Sequence, residues 1–439
     1  MKDRIDMRYL TVVIFCVVLL LLFLAAFRFS EVFSKDTDTV KQDISQVTTD
    51  DNIFYIVDRR GIKIDQNFVG QGLEPLLTEV QSANLLNDQD LKLSIDSELQ
   101  SYVYRAMEDV ATNANYVGGA GVIMDIKTGE VISMVSYPEV EQNNKPSINK
   151  VTNGLYVPGS VVKPFVAIGA LSEEIISPEE EILSTGSIEL PNPYQGGDFL
   201  VFNDWKAHGY VDMRKAIGVS SNVYFYAVGG GYEKQRGMGI EMVEDYLRLF
   251  GIGRLSGIDV LTESEGRIPN PEWKEKEYNG APWRLGDTYL ASIGQHGYEV
   301  TPLQMVRAVS AIANDGKLIK PSILLKDEFD QESITLPIEA DDLDVVKEGM
   351  EYAVINGTAA GLYMDGLSVA AKTGTAEVDT EKEFIHSWIV GYFPHDKPRY
   401  AFTFFLEKGP WGEEVGSVAV ASDVLTWIRD NRPEYFTQF

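Results

Sequence analysis

Tyr156-Val157-Pro158-Gly159-Ser160-Val161-Val162-Lys163 runs directly into the apolar stretch Pro164 to Leu171. Proline and glycine turn the chain, a serine follows where a helix can begin, and a lysine stands three residues later. At a helix N-terminus, free backbone N–H groups and the helix dipole favour a negative charge developing nearby. Residues three apart share a helix face, which brings Lys163 toward Ser160. A lone serine hydroxyl is a poor nucleophile, and a lysine desolvated among apolar neighbours can shed its proton and act as its base. Ser160 and Lys163 are therefore candidate catalytic residues.

Two further motifs follow in chain order. Ser220-Ser221-Asn222 lies between the helical pattern Met213 to Gly218 and the aromatic run Tyr224-Phe225-Tyr226. A second hydroxyl, Ser220, can pass a proton to a leaving amine, and the Asn222 amide can hold a substrate carbonyl. Lys372-Thr373-Gly374-Thr375 sits on an alternating strand pattern ending at Val378. A strand edge offers backbone groups to an extended peptide, and glycine lets that peptide approach closely. The Lys372 ammonium and the Thr373 and Thr375 hydroxyls suit a carboxylate. Each motif alone is weak: Ser147 to Lys150, Ser82 to Asn84 and Lys127 to Gly129 repeat the same three spacings. Context separates them, since Ser147 lies in a polar loop and Lys127 at a hairpin tip.

Outward from these motifs, the chain reads as an α/β (α+β) domain over residues 91–439. Ser97 with Gln100 forms a capping box, and Leu99, Val103, Met107 and Val110 then line one helix face. Strands are expected at Gly121 to Ile126 and Glu130 to Ser136 around the turn Lys127-Thr128-Gly129, with more at Leu367 to Val378, Ser387 to Phe393 and Tyr400 to Leu406. A long, mostly helical middle separates them, and an amphipathic helix carrying Val420, Val424, Trp427 and Ile428 closes the chain. Strands at both ends predict one antiparallel sheet flanked by helices, plus an all-helical part. Residues 52–90 hold short apolar pieces between glycine turns and are too few for a core of their own.

Toward the N-terminus, Leu10 to Phe27 is uncharged and apolar apart from Thr11. Its eighteen residues span ~27 Å as a helix, enough for a bilayer core. Residues 10–28 are predicted to be a transmembrane helix. Lys2, Arg4 and Arg8 place the tail 1–9 in the cytoplasm and everything after Arg28 outside the cytoplasmic membrane. The polar residues 29–51 show no helix or strand period and read as a stalk. The formal net charge of -28 argues against a nucleic-acid partner. Cys16 is the single cysteine, so no intrachain disulfide can form, and four scattered histidines outline no metal site. No cofactor is expected.

At these residues the chain resembles the serine penicillin-binding protein and β-lactamase superfamily, specifically the class B monofunctional transpeptidases. The likeness starts near Leu91 and continues through Trp283, Gly286-Asp287-Thr288, Ser292-Ile293-Gly294-Gln295, Thr301 to Met305 and Gly357-Thr358-Ala359. The Trp283 and Gly-Asp-Thr element is similar to the elongation-type branch. The resemblance implies that Ser160 attacks the bond between two terminal D-alanines of a peptidoglycan stem peptide. It implies Lys163 as base and Ser220 as proton relay. Asn222 would align the substrate, Lys372, Thr373, Gly374 and Thr375 would hold its carboxylate end, and the N–H groups of Ser160 and Thr375 would form an oxyanion hole. It also implies β-lactams as inhibitors and a SEDS-family glycosyltransferase as membrane partner. Residues 52–90 stand where the class carries a much longer pedestal.

Three rival readings remain. A D,D-carboxypeptidase would differ only in its acceptor. A class A β-lactamase needs a glutamate loop after the second motif, whereas the nearest match, Glu180 to Ser184, precedes Ser220 and ends in serine. A β-lactam sensor would need an output domain, for which a tail of about nine residues leaves no room.

Overall fold

The computed structural model describes residues 46–49, 52–64, 72–83, 85, 90–139, 148–192, 197–325, 332–378 and 383–437. The expected tail, the predicted span 10–28 and most of the stalk lie outside these residues. Among the described residues no helix is long and apolar enough to cross a membrane.

The first described strand falls at the end of the segment expected as a stalk. Residues 46–49 form β1 (Gln46–Thr49), antiparallel to β2 (Asn52–Val57). Strand pairing satisfies backbone groups whatever the side-chain period, so a polar stretch gave no signal. Helix α1 (Glu74–Ser82) follows, and β3 (Leu91–Lys92) pairs parallel to β2. Ile56, Leu73, Leu76, Leu77 and Val80 are buried in the same apolar cluster as Ile95 and Met134. The 52–90 segment thus borrows the main core, as its length requires.

Helix α2 (Ser97–Asn113) starts differently from the expected capping box. Its N-cap is Asp96, whose carboxylate accepts from the N–H groups of Glu98 and Leu99. The Ser97 hydroxyl instead donates to Asp58 at 2.8 Å, and the Gln100 amide reaches across to the Met134 backbone. Spacing alone could not separate the two caps, because either residue type accepts from N3. The hairpin β4 (Gly118–Asp125) and β5 (Val131–Tyr137) turns at Lys127 to Gly129 as expected.

The middle of the chain holds the helices α3 (Lys163–Ser172), α4 (Met213–Gly218), α5 (Asn222–Gly230), α6 (Leu285–Ser292), α7 (Pro302–Ala313) and α8 (Ala340–Asn356). It is less purely helical than its sequence suggests. β6 (Ile182–Ser184) pairs with β9 (Gly209–Val211), β7 (Ser187–Pro191) with β8 (Phe199–Asn203), and β10 (Lys317–Ile319) with β11 (Ser333–Thr335). These ribbons are short, and three consecutive β8 residues, Phe199 to Val201, are exposed, so they lack the alternation that marks a half-buried strand.

The last strands, β12 (Ala370–Glu377), β13 (Phe384–Phe393) and β14 (Tyr400–Pro410), join the first hairpin in one antiparallel sheet of order β12-β13-β14-β4-β5. β12 begins three residues later than its pattern, and β13 and β14 run longer. Period-two alternation feeds two cores. Ile123, Ile389, Phe402 and Phe404 meet α2 and the helix α9 (Ser417–Asn431) on one face, while Val122, Met124, Val390 and Phe405 meet the cluster containing α7 on the other. Gly119 and Gly121 admit α2: a Cβ on either would lie within 3 Å of Met107. The fold leaves β12 as an edge, with its free side turned toward the Ser160 turn.

Candidate active site

Ser160 lies in a 3-10 turn, Gly159–Val162, that feeds α3. Three neighbours clamp the turn. Gly159 has φ +59° and donates its N–H to Gly294 O at 2.9 Å. Trp388 Nε1 of β13 donates to Val157 O at 3.0 Å. β12 passes so close that a Cβ on Gly374 would stand 2.9 Å from Pro158 O. Glycine at 374 therefore sets the separation between the serine turn and the sheet edge.

The second motif joins α4 to α5. Ser220 adopts φ +57°, a left-handed conformation disfavoured for a residue with a Cβ. It is held by bonds from Ser220 N to Ile217 O and from Ser221 N to Ala216 O. Backbone strain of this kind persists where surrounding structure enforces it, and here it turns the Ser220 hydroxyl toward two lysines. Ser221 serves as N-cap of α5 and accepts from Tyr224 N.

Lys163 Nζ contacts Ser220 O at 2.8 Å, Ser220 Oγ at 3.3 Å and Asn222 Oδ1 at 2.7 Å. Lys372 Nζ donates to Ser220 Oγ at 2.8 Å and to Thr373 O at 2.8 Å. Both lysines are fully buried. Burial brings Lys163 down to about 7, with the Asp204 carboxylate pulling the other way. Burial, and then the positive charge of Lys163, push Lys372 well below the ordinary lysine value. Two ammonium groups sharing one hydroxyl repel each other, so the pair favours releasing a proton. A neutral Lys163 donates two hydrogens to the carbonyls of Ser220 and Asn222 and keeps a lone pair for a hydroxyl. Ser220 Oγ can then accept from Lys372 while donating to Lys163, which makes a short proton path.

The three motifs meet at one cleft of about 520 Å³. Ser160, Ser220, Asn222, Thr373, Gly374 and Thr375 all line it, together with Trp205 and Trp411. Lys163 and Lys372 do not; they lie beneath it. Lys372 thus departs from the expected carboxylate contact: its ammonium is engaged behind Ser220, leaving the Thr373 and Thr375 hydroxyls facing the cleft. Lys163 departs too, since among the described residues none is hydrogen-bonded to the Ser160 hydroxyl. Thr358, which the resemblance gave no role, lines the cleft and accepts from Thr373 Oγ1 at 2.6 Å. The decoys separate cleanly. Lys150 pairs with Glu407 at 2.9 Å and Lys127 donates to Asn314, and neither lysine lines this cleft, while Ser147 and Asn84 lie outside the described residues. Asp204, on the loop after β8, contacts Ser221 and carries no motif that sequence could have flagged.

The chain is similar to known proteins. Residues 119–425 match the family model of the penicillin binding protein transpeptidase domain. A curated relative, the peptidoglycan D,D-transpeptidase MrdA of Haemophilus influenzae, is 30% identical over 404 residues, covering 81% of this chain and 59% of that protein. The chain thus spans a little over half the length of the curated relatives it matches. Among solved structures, PBP2 of Pseudomonas aeruginosa in complex with WCK 5153 is similar with a TM-score of 0.65 at 29% identity, covering 78% of this chain and 79% of that one. PBP2 of Helicobacter pylori in complex with MreC is similar with a TM-score of 0.65 at 30% identity, covering 78% and 64%.

Proposed function

The chain belongs to the penicillin-binding protein transpeptidase family, on its class B, elongation-type branch, and from that membership we propose that it is a peptidoglycan D,D-transpeptidase acting through Ser160. The observation that carries the reading is the Ser220 hydroxyl bridging Lys163 and Lys372 in the cleft that also exposes Ser160 and the edge of β12.

In the proposed reaction, a stem peptide lies along β12 with its terminal carboxylate against Thr373 and Thr375. Asn222 aligns its backbone. Ser160 Oγ attacks the carbonyl between the two D-alanines, and its proton passes to neutral Lys163. The N–H groups of Ser160 and Thr375 hold the oxyanion. The carbon–nitrogen bond then breaks, and the departing D-alanine amine takes a proton from Lys163 through Ser220. An amine from a second stem peptide attacks the acyl-enzyme and releases Ser160. A penicillin would acylate the same serine. Residues 10–28 would anchor the domain outside the cytoplasmic membrane, beside a SEDS-family glycosyltransferase that makes the strands being cross-linked.

Fluorescent penicillin should label Ser160, and Ser160→Ala should abolish the label. Label that persists in that variant overturns the assignment. A D-Ala-D-Ala stem peptide supplied with and without an amine acceptor distinguishes transfer from hydrolysis: release of D-alanine with no cross-linked product under both conditions would make the protein a carboxypeptidase.

A further inference from the structure

The Ser220–Asn222 motif is held by a segment outside all three motifs. β8 ends at Asn203, and the loop toward β9 carries Asp204 inward until its carboxylate is wholly buried. Asp204 Oδ2 accepts from Ser221 Oγ at 2.8 Å, Val223 N at 3.0 Å and Ser184 Oγ at 3.2 Å, while Oδ1 accepts from Trp205 N at 2.9 Å. Next to it, Asn203 O accepts from Asn222 Nδ2 at 3.3 Å and from the Tyr226 hydroxyl at 3.2 Å. An amide that donates through Nδ2 to Asn203 must turn Oδ1 the other way, and that oxygen is the one receiving Lys163 at 2.7 Å. One two-residue segment therefore fixes both the first turn of α5 and the orientation of the Asn222 amide.

We propose that Asp204 is a positioning residue for acylation at Ser160: it locks the start of α5 and supplies the buried negative charge that keeps Ser220, Asn222 and Lys163 in register. This rests on the proposed serine acyl-transfer function. A buried carboxylate endures only where it is well hydrogen-bonded or charge-paired, and Asp204 has both. Burial alone would raise its pKa, but the N–H groups of Asn222 and Val223, with Lys163, hold it below the ordinary carboxylate value.

The charges around the pair are few. Lys163, at the start of α3, faces Asp204 on the β8–β9 loop and Lys372 on β12. Asp204 faces Lys163 and His208, whose Nε2 lies 3.6 Å from Oδ1, and burial lowers the His208 pKa so that it is uncharged at neutral pH. Lys206, on the same loop, is exposed to solvent, and the Tyr226 phenol, which also feels Glu377, stays protonated. Asp204 is thus the carboxylate whose charge acts on buried Lys163. Without its charge, Lys163 becomes neutral at lower pH.

The test measures the acylation rate of the full chain by a fluorescent penicillin between about pH 5 and 9. The wild type should show an ascending limb near pH 7, where Lys163 loses its proton. Asp204→Asn should move that limb about one pH unit lower and reduce the plateau on the order of tenfold. A slower Asp204→Asn variant with its limb in place would reduce Asp204 to a structural role and overturn the proposal, as would a pH-independent wild-type rate. Ser221→Ala removes one anchor of the carboxylate but keeps its charge, so acylation should slow without the limb moving down. If Asp204→Asn does not fold, the neutral Asp204→Ser takes its place: a limb moved to lower pH supports the proposal, and a limb left in place sinks it. A wild type that takes no label at all fails at the serine acyl-transfer reading itself, which separates that failure from a failure of Asp204.

Discussion

Gly294→Ala should disable acylation from a position that does not line the cleft. Gly294 has φ +77°, and its carbonyl receives the N–H of Gly159, next to Ser160. A left-handed alanine costs about 1 kcal/mol, which the fold can absorb. The added Cβ matters more, because it would stand 2.0 Å from Gly159 O. Both contacts are backbone, so neither can swing aside as a side-chain end would; the two loops must part by more than an ångström. Ser160 moves with its loop, and a misplacement of that size costs on the order of 10²-fold in rate. Gly280→Ala supplies the control: its φ is +86° and nothing lies within 4 Å of its Cβ. Rates of acylation by fluorescent penicillin and thermal melts of both variants test the argument. Gly280→Ala should melt slightly lower and acylate like the wild type, whereas Gly294→Ala should lose about 100-fold in rate. If Gly294→Ala acylates within about threefold of wild type, the claim that this contact places the nucleophile is wrong.

Two stability predictions follow from buried polar groups. Asp96→Ala removes the α2 cap and the acceptor of the buried Tyr435 hydroxyl, which donates to Asp96 at 2.8 Å, so urea unfolding should show a loss of about 3 kcal/mol. His386 is buried in β13, which lowers its pKa to about 4 from the ordinary 6.5. As pH falls below about 6.5 the unfolded chain takes this proton first, so the contribution is complete above that pH and is lost down to about pH 4, a total near 3 kcal/mol. His386→Gln should flatten the pH dependence of unfolding over that window by roughly this amount, and a parallel profile would show that His386 is not buried as a neutral ring.

What the sequence determined by itself is local. The turn at Pro158 and Gly159, the helix after Ser160, the strand around Gly374 and the two apolar faces of the sheet all follow from residue type and period, and the structure carries each of them. Ser160, Ser220, Asn222, Thr373, Gly374 and Thr375 were legible because their spacing and context suffice to mark them. Tertiary structure alone decided what these residues touch. Lys372 appears in sequence as a charge beside two hydroxyls, but chain packing buries its ammonium behind Ser220, 152 positions away in sequence. Asp96 capped α2 in place of Ser97 because Asp58, 39 residues earlier, claims the serine hydroxyl. Asp204 had no signal, since a carboxylate on a polar loop reads as solvated until the fold closes over it. The physical reason is common to all three. Propensity and periodicity act over a few neighbouring residues, whereas burial and hydrogen-bond partners arise only when distant segments exclude water together, and those two quantities set the charge state of an active site.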